Sequence, residues 1–186
     1  MIKDGMSNYE IMEANPDYLV ALDRVERARQ AIREQQYRDT FRTLTTTYIW
    51  GPTGTGKTRS VMEQYSYSGV YRVTDYVHPF DSYAGEDVLL LDEYSSNLKV
   101  RDLLNYLDGY PLTLPARYSN RVACFTKVYV ISNLCLSKQY PNEQYNSPAT
   151  FAALLRRIHK VVHYTAPGEF AEYETAEYMD NPLLWR

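Results

Sequence analysis

Apolar positions along the chain follow two different rhythms. In the leading segment, between Asp17 and about Arg42, the apolar residues Tyr18, Leu22, Val25, Ile32 and Phe41 recur at helical spacing. Asp23/Arg27 and Glu34/Arg38 add four-residue ion pairs on the polar side. Ahead of this stretch, Ser7-Asn8-Tyr9-Glu10 has the form of a capping box that starts a short helix. Asn15-Pro16 interrupts that helix, and Asn15 can cap the next one with Pro16 at its first position. From Leu44 onward the rhythm changes to short β-branched and aromatic runs: "LTTTYIW" (44–50), "VYRVTDY" (70–76), "DVLLLDEY" (87–94), "TKVYVISN" (126–133) and "HKVVHY" (159–164). Helical stretches fall near 57–65, 97–107 and 149–157. Such alternation predicts an α/β fold around a central parallel five-stranded sheet, and the nearly continuous apolar run at 87–94 fits a strand buried on both faces.

The predicted division is therefore a helical segment over 1–44, an α/β core over 45–165 and an acidic tail over 166–186. The leading helices are too thin to form a core alone, and pairing with neighbouring subunits is preferred over packing on their own core. The tail carries Glu169, Glu172, Glu174, Glu177 and Asp180 and is expected to be solvated and partly mobile. Composition changes the picture little. A chain of 186 residues with 45% hydrophobic content suits one domain plus an appendage. No stretch approaches the roughly 18 apolar residues of a membrane span, and no membrane partner is expected. The beginning "MIKDGMSNYE" lacks the apolar region of a signal peptide. Cys124 and Cys135 form no CxxC pair and read as free thiols. A net charge of −3 argues against nonspecific coating of nucleic acid, though not against a local basic feature. The 19 tyrosines are expected mostly in cores and interfaces.

Chemistry enters with "YIWGPTGTGKTRSVM", residues 48–62. The spacing from Gly51 to Gly56-Lys57-Thr58, between a strand and a helix, is the phosphate-binding loop pattern. Glycines let several N–H groups face one concavity, Lys57 reaches the outer phosphates and the Thr58 hydroxyl can ligate magnesium. Gly51, Pro52, Thr53, Gly54, Thr55, Gly56, Lys57, Thr58 and Arg59 are thus the expected nucleotide contacts, with ATP and Mg2+ as cofactors. Asp92 and Glu93 follow an apolar strand at the end where such ligands bind; Asp92 suits the magnesium shell, and Glu93 suits a general base for the attacking water. Asn133, ending another strand, can hydrogen-bond both the terminal phosphate and that water. Between them, "GYPLTLPARYSNRVACFTK" reads as a hairpin, with Arg117 and Arg121 near its turn and Lys127 on the following strand. Those cations can meet nucleic-acid phosphates and Tyr118 can stack or wedge. His159 and His163, four apart on a predicted strand with no third ligand nearby, and His78 in "YVHPF" read as packing or turn residues.

These motifs, in this compact order, resemble a superfamily 3 helicase, an AAA+-like P-loop NTPase. More narrowly, "GPTGTGKTRSVM", "VYRVTDYVHPFDSY", "LLNYLDGYPLTLPARYSNRVACFTKVYVISN" and "FAALLRRIHKV" are similar to the helicase part of rolling-circle replication initiator (Rep) proteins of small circular plasmids and single-stranded DNA viruses, and closest in character to the bacterial plasmid and integrated-element branch. The resemblance covers most of residues 1–165. It implies motif A at Gly51–Thr58, motif B at Asp92 and Glu93, a B′ element containing Arg117 and a motif C sensor at Asn133. It also implies an arginine finger at Arg157, with Arg156 as the alternative, a helical oligomerisation segment, and a hexameric ring acting on single-stranded DNA. Relatives usually carry an endonuclease domain with a His-hydrophobe-His motif and a nucleophilic tyrosine. Neither that motif nor room for such a domain is found before residue 45, so nicking is not carried over and would come from a linked or separate domain. The expected location is the cytoplasm of a bacterial host, or the nucleus for a eukaryotic virus. An RNA-directed superfamily 3 helicase and a nucleotide-dependent assembly scaffold remain the alternatives. A small-molecule P-loop kinase is weaker, for want of a lid insertion.

Overall fold

The computed structural model describes residues 6–117 and 119–185. The chain opens with α1 (Asn8–Ala14), and both halves of the capping box are made: the Glu10 N–H donates to Ser7 Oγ, and the Ser7 N–H donates to the Glu10 carboxylate. Asn15 caps the next segment by accepting the Asp17 N–H at 3.0 Å. That segment is a 3₁₀ turn over Pro16–Ala21, followed by α2 (Leu22–Tyr37). The single helix expected from Asp17 to Arg42 is thus shorter at both ends. Neither expected ion pair forms among the described residues. Arg29 pairs with Glu26 at 2.6 Å and also donates to Asn8 and to the Met6 carbonyl, which ties α2 to α1. Beyond the helix Phe41 is exposed, and Arg42 is buried, donating to the carbonyls of Phe125 and Asp108. An arginine can occupy that interior place because backbone carbonyls satisfy its terminal nitrogens, although its buried Nε has no partner among the described residues.

The core runs β1 (Thr45–Trp50), α3 (Lys57–Gln64), β2 (Val70–Val73), β3 (Val88–Leu91), α4 (Val100–Tyr106), the hairpin β4 (Thr113–Leu114) and β5 (Arg121–Val122), then β6 (Lys127–Ser132). It continues through α5 (Pro141–Asn146), α6 (Pro148–Leu155), β7 (Lys160–Ala166), β8 (Glu169–Glu174) and α7 (Thr175–Asp180). Sheet order is β2-β3-β6-β1-β7-β8. The first five strands in that order are parallel and β8 is antiparallel to β7, giving a mixed α/β fold with a mostly parallel central sheet. All four residues of β3 are buried because both faces are covered. Tyr48 and Trp50 point into the larger cluster, with residues of α4, α6 and α7; Ile49 points to the other, with Val61 of α3. Helix α2 lies against β5, so the leading segment touches its own core.

The tail departs most from expectation. Pro167-Gly168 is a hairpin turn, and β8 pairs with β7 from Glu169 to Glu174. Its glutamates face solvent on an edge strand, where charge discourages further pairing. Only their exposure matches a solvated tail. The signal lay in Phe170 and Tyr173 set among the acids, which composition alone conceals. Beyond β8, Tyr178 of α7 is fully buried and meets Trp50 edge-on, with ring centroids 6.3 Å apart. Tyr178→Ala is expected to cost about 3 kcal/mol of unfolding free energy in a urea titration, as for other buried aromatics. Tyr178→Phe, which removes a buried hydroxyl without a partner, should keep the wild-type midpoint.

Candidate phosphate-binding site

Parallel pairing brings the expected residues to one edge. Trp50 of β1 lies opposite Ser132 of β6, and Leu91 of β3 lies opposite Val130, so the residues after all three strands emerge together. The loop after β1 leaves its strand at Gly51, with φ of 143°. A Cβ built there would lie 2.1 Å from the Tyr164 carbonyl oxygen, so only glycine fits this close approach. The loop ends at Gly56, φ 91°, which precedes α3 without any side-chain cap. The first amides of α3 are therefore free for an anion.

Lys57 is buried, 6% exposed, and its Nζ donates to the carbonyls of Gly51 and Pro52, each at 2.8 Å, and to Asn133 Oδ1 at 3.1 Å. Burial pushes the ammonium below the usual lysine range, and the charges of Glu93 and Asp92 oppose that shift. Thr58 Oγ1 donates to Asp92 Oδ1 at 2.9 Å, and Asn133 Nδ2 donates to Glu93 Oε2 at 3.0 Å. Glu93 lies past the end of β3, which stops at Leu91, three residues earlier than expected. Its left-handed φ of 49° turns the carboxylate outward, where it is exposed. Thr53, Gly54, Gly56, Lys57, Thr58, Arg59 and Glu93 line a cavity of about 280 Å³. Thr55 bonds back to the Pro52 carbonyl, and Arg59 pairs outward with Glu63. Uncapped amides, a lysine resting on carbonyls, and a hydroxyl beside a buried carboxylate form a donor set that suits a nucleoside triphosphate with magnesium.

Two residues that sequence reasoning passed over complete the site. Arg72 on β2 donates to Asp92 Oδ2 from Nε at 2.7 Å and from a terminal nitrogen at 2.5 Å. A single cation in the strand "VYRV" was the available signal. The Tyr76 hydroxyl also donates to the Asp92 carbonyl, at 2.7 Å.

The remaining expected residues lie elsewhere. Arg117 grips Asp81, its backbone N–H reaching Oδ1 at 2.8 Å and Nε reaching Oδ2 at 2.5 Å. These bonds, the backbone one foremost, hold the Asp81 carboxyl below its usual range. Arg121 donates to the Asp81 carbonyl at 3.3 Å. Lys127 begins β6 at the opposite end from Asn133, roughly 20 Å away for a six-residue strand, and pairs with Asp87 at 2.5 Å. Tyr118 lies outside the described residues. Arg157 pairs with Asp108 at 2.7 Å and donates to the Ala153 carbonyl. Arg156 is exposed, and its guanidinium has no partner among the described residues. His159 accepts the Thr46 N–H at 3.0 Å, His163 stacks on Trp50 with centroids 3.8 Å apart, and His78 is exposed in a loop. Among the described residues no helix is long and apolar enough to cross a membrane.

The chain is similar to replication-associated proteins of circoviruses. It is 32% identical to that of porcine circovirus 1 over 123 residues, which are 65% of this chain and 38% of the relative. Identity to the goose circovirus protein is 30% over 166 residues, 88% of this chain and 53% of the relative. Identity to the porcine circovirus 2 protein is 29% over 133 residues, 70% and 41% of the two lengths. The chain thus spans about half the length of these relatives, or less. No protein-family profile matches it.

Beneath the site lies a polar network around Gln139, 1% exposed. Its amide donates to the Tyr48 hydroxyl at 2.8 Å, to Ser132 Oγ at 3.1 Å and to the Tyr94 carbonyl at 3.3 Å, and it accepts from Ser96. Those partners flank Asp92-Glu93 on one strand end and Asn133 on another. Gln139→Ala would leave several buried groups unpaired and is expected to cost about 2 kcal/mol, read by chemical unfolding.

Proposed function

We propose that this chain is the ATP-hydrolysing motor part of a replication protein: an AAA+-like superfamily 3 helicase domain that works as a homo-oligomeric ring on single-stranded DNA during rolling-circle replication of a small circular replicon. The observation that carries the reading is the convergence of Lys57, the Thr58–Asp92 pair and the Asn133–Glu93 pair at one sheet edge. The replication-associated names of the circovirus proteins support the setting. Lys57 would exchange the carbonyls it now touches for phosphate oxygens. Thr58 and Asp92 would hold magnesium, whose charge supports the phosphates when bound. Glu93 turns outward toward incoming water and takes its proton, and Asn133 fixes the Glu93 carboxylate while presenting its amide to the terminal phosphate. Exposed Leu19 and Val20 on the leading segment suit a contact with a neighbouring subunit. Of the two candidate finger residues, Arg156 is the one free to cross such an interface, and Arg157 is held by Asp108.

Lys57→Ala is expected to abolish binding of a fluorescent ATP analogue. Glu93→Gln should keep that binding while phosphate release falls by roughly 10²–10⁴; near-normal release would remove Glu93 as the base.

Hairpin contact with DNA requires phosphate to replace Asp81 on Arg117. Asp81→Asn should therefore tighten oligonucleotide binding by roughly threefold to tenfold at low salt, a gain that fades as salt rises. Arg117→Ala should weaken binding. Fluorescence anisotropy across a salt series, on matched DNA and RNA oligonucleotides, measures both effects and separates the DNA reading from an RNA one.

A further inference from the structure

Asp92 is the one buried acid among the described residues, 1% exposed, and both of its oxygens are doubly engaged. Oδ1 accepts the Thr58 hydroxyl at 2.9 Å and the Glu93 N–H at 3.1 Å. Oδ2 accepts Arg72 alone, through Nε at 2.7 Å and a terminal nitrogen at 2.5 Å. The guanidinium balances the charge of Asp92 and, by occupying Oδ2, turns Oδ1 toward Thr58. Removing it would leave a buried carboxylate without a counter-ion, the costly half of a buried ion pair. Arg72 is itself 47% exposed, so its far side is free. That side lines a second cavity of about 280 Å³, together with Asp75, His78, Asp81 and Arg117.

A divalent cation held by Thr58 and Asp92 would stand a few ångströms from this guanidinium. Two cations at such a distance repel appreciably even when partly screened. We infer that Arg72 is a positioning residue for the metal side of the phosphate site: it stands in for the cation's charge on Asp92, keeps the carboxylate aimed at Thr58, and sets the magnesium concentration at which the site fills. With a metal bound, the guanidinium would withdraw toward the second cavity, where the Asp75 carboxylate lies and Asp81 is already held by Arg117. This inference rests on the phosphate-site reading above.

The test uses the full chain as wild type, Arg72→Gln, Arg72→Lys and the double variant Arg72→Gln/Asp92→Asn. Thermal melts without metal or nucleotide come first. Arg72→Gln should melt lower than wild type, and adding Asp92→Asn should recover most of the loss, because the unpaired charge is gone. Equilibrium binding of a fluorescent ATP analogue is then followed across a magnesium titration. Half-saturating magnesium should fall roughly tenfold in Arg72→Gln, which removes a competing charge, and stay within about twofold of wild type in Arg72→Lys, which keeps it. A lower melt with an unmoved magnesium midpoint makes Arg72 purely structural and overturns the inference alone. Wild-type protein that binds no nucleotide at any magnesium concentration overturns the phosphate-site reading and this inference together. Should Arg72→Gln fail to fold, the wild-type Nε–H NMR signal of Arg72, identified by its loss in Arg72→Lys, carries the test. It should shift when magnesium is added at saturating nucleotide, and a signal that stays in place overturns the inference.

Discussion

Backbone hydrogen bonds between β1, β6 and β3 set the height at which each strand ends, and every polar group of the site inherits that height. With Trp50 level with Ser132 and Leu91 level with Val130, the residues that follow have no freedom to part. A slip of one position would reverse which face each side chain meets and would place Tyr48 and Trp50 against the wrong layer. The core thus enforces the chemistry: the burial that forbids a slip also delivers Lys57, Asp92 and Asn133 to hydrogen-bonding distance of one another's partners.

That enforcement explains which parts were legible in the sequence. The five parallel strands were readable because β-branched and aromatic runs alternate with helical spacing. The capping box at Ser7 was readable because its two hydrogen bonds are local. The loop from Gly51 to Thr58 needed only its own backbone geometry. Arg72 and Gln139 were hidden because their importance lies in partners 20 and 91 positions away, Asp92 and Tyr48, and only the register creates those meetings. The hairpin β4–β5 was expected, but the attachment of its arginine to Asp81 was not, since no local pattern records it. β8 was missed because its three glutamates outweighed its two aromatic residues in a reading by composition.

Two of the cations expected to grip nucleic acid are balanced locally, Arg117 by Asp81 and Lys127 by Asp87, and Arg121 donates to the Asp81 main-chain carbonyl. A phosphate that reaches Arg117 therefore trades one anion for another, and exposed trades of this kind gain little free energy apiece. On the proposed reading that economy is useful. An enzyme moving along a strand must release every contact it makes, and contacts with a resident competitor are easily released.

The approach of Gly51 to Tyr164 has a genetic consequence. What blocks a larger residue at position 51 is a carbonyl oxygen 2.1 Å from the would-be Cβ, and every amino acid carries that oxygen. Changing the side chain at 164 cannot clear it. A second-site suppressor of a Gly51 substitution would have to displace the β7 backbone itself, where Val162 pairs with Ile49 and His163 with Trp50. Position 51 is thus closed to compensation in a way that the acids and cations around it are not.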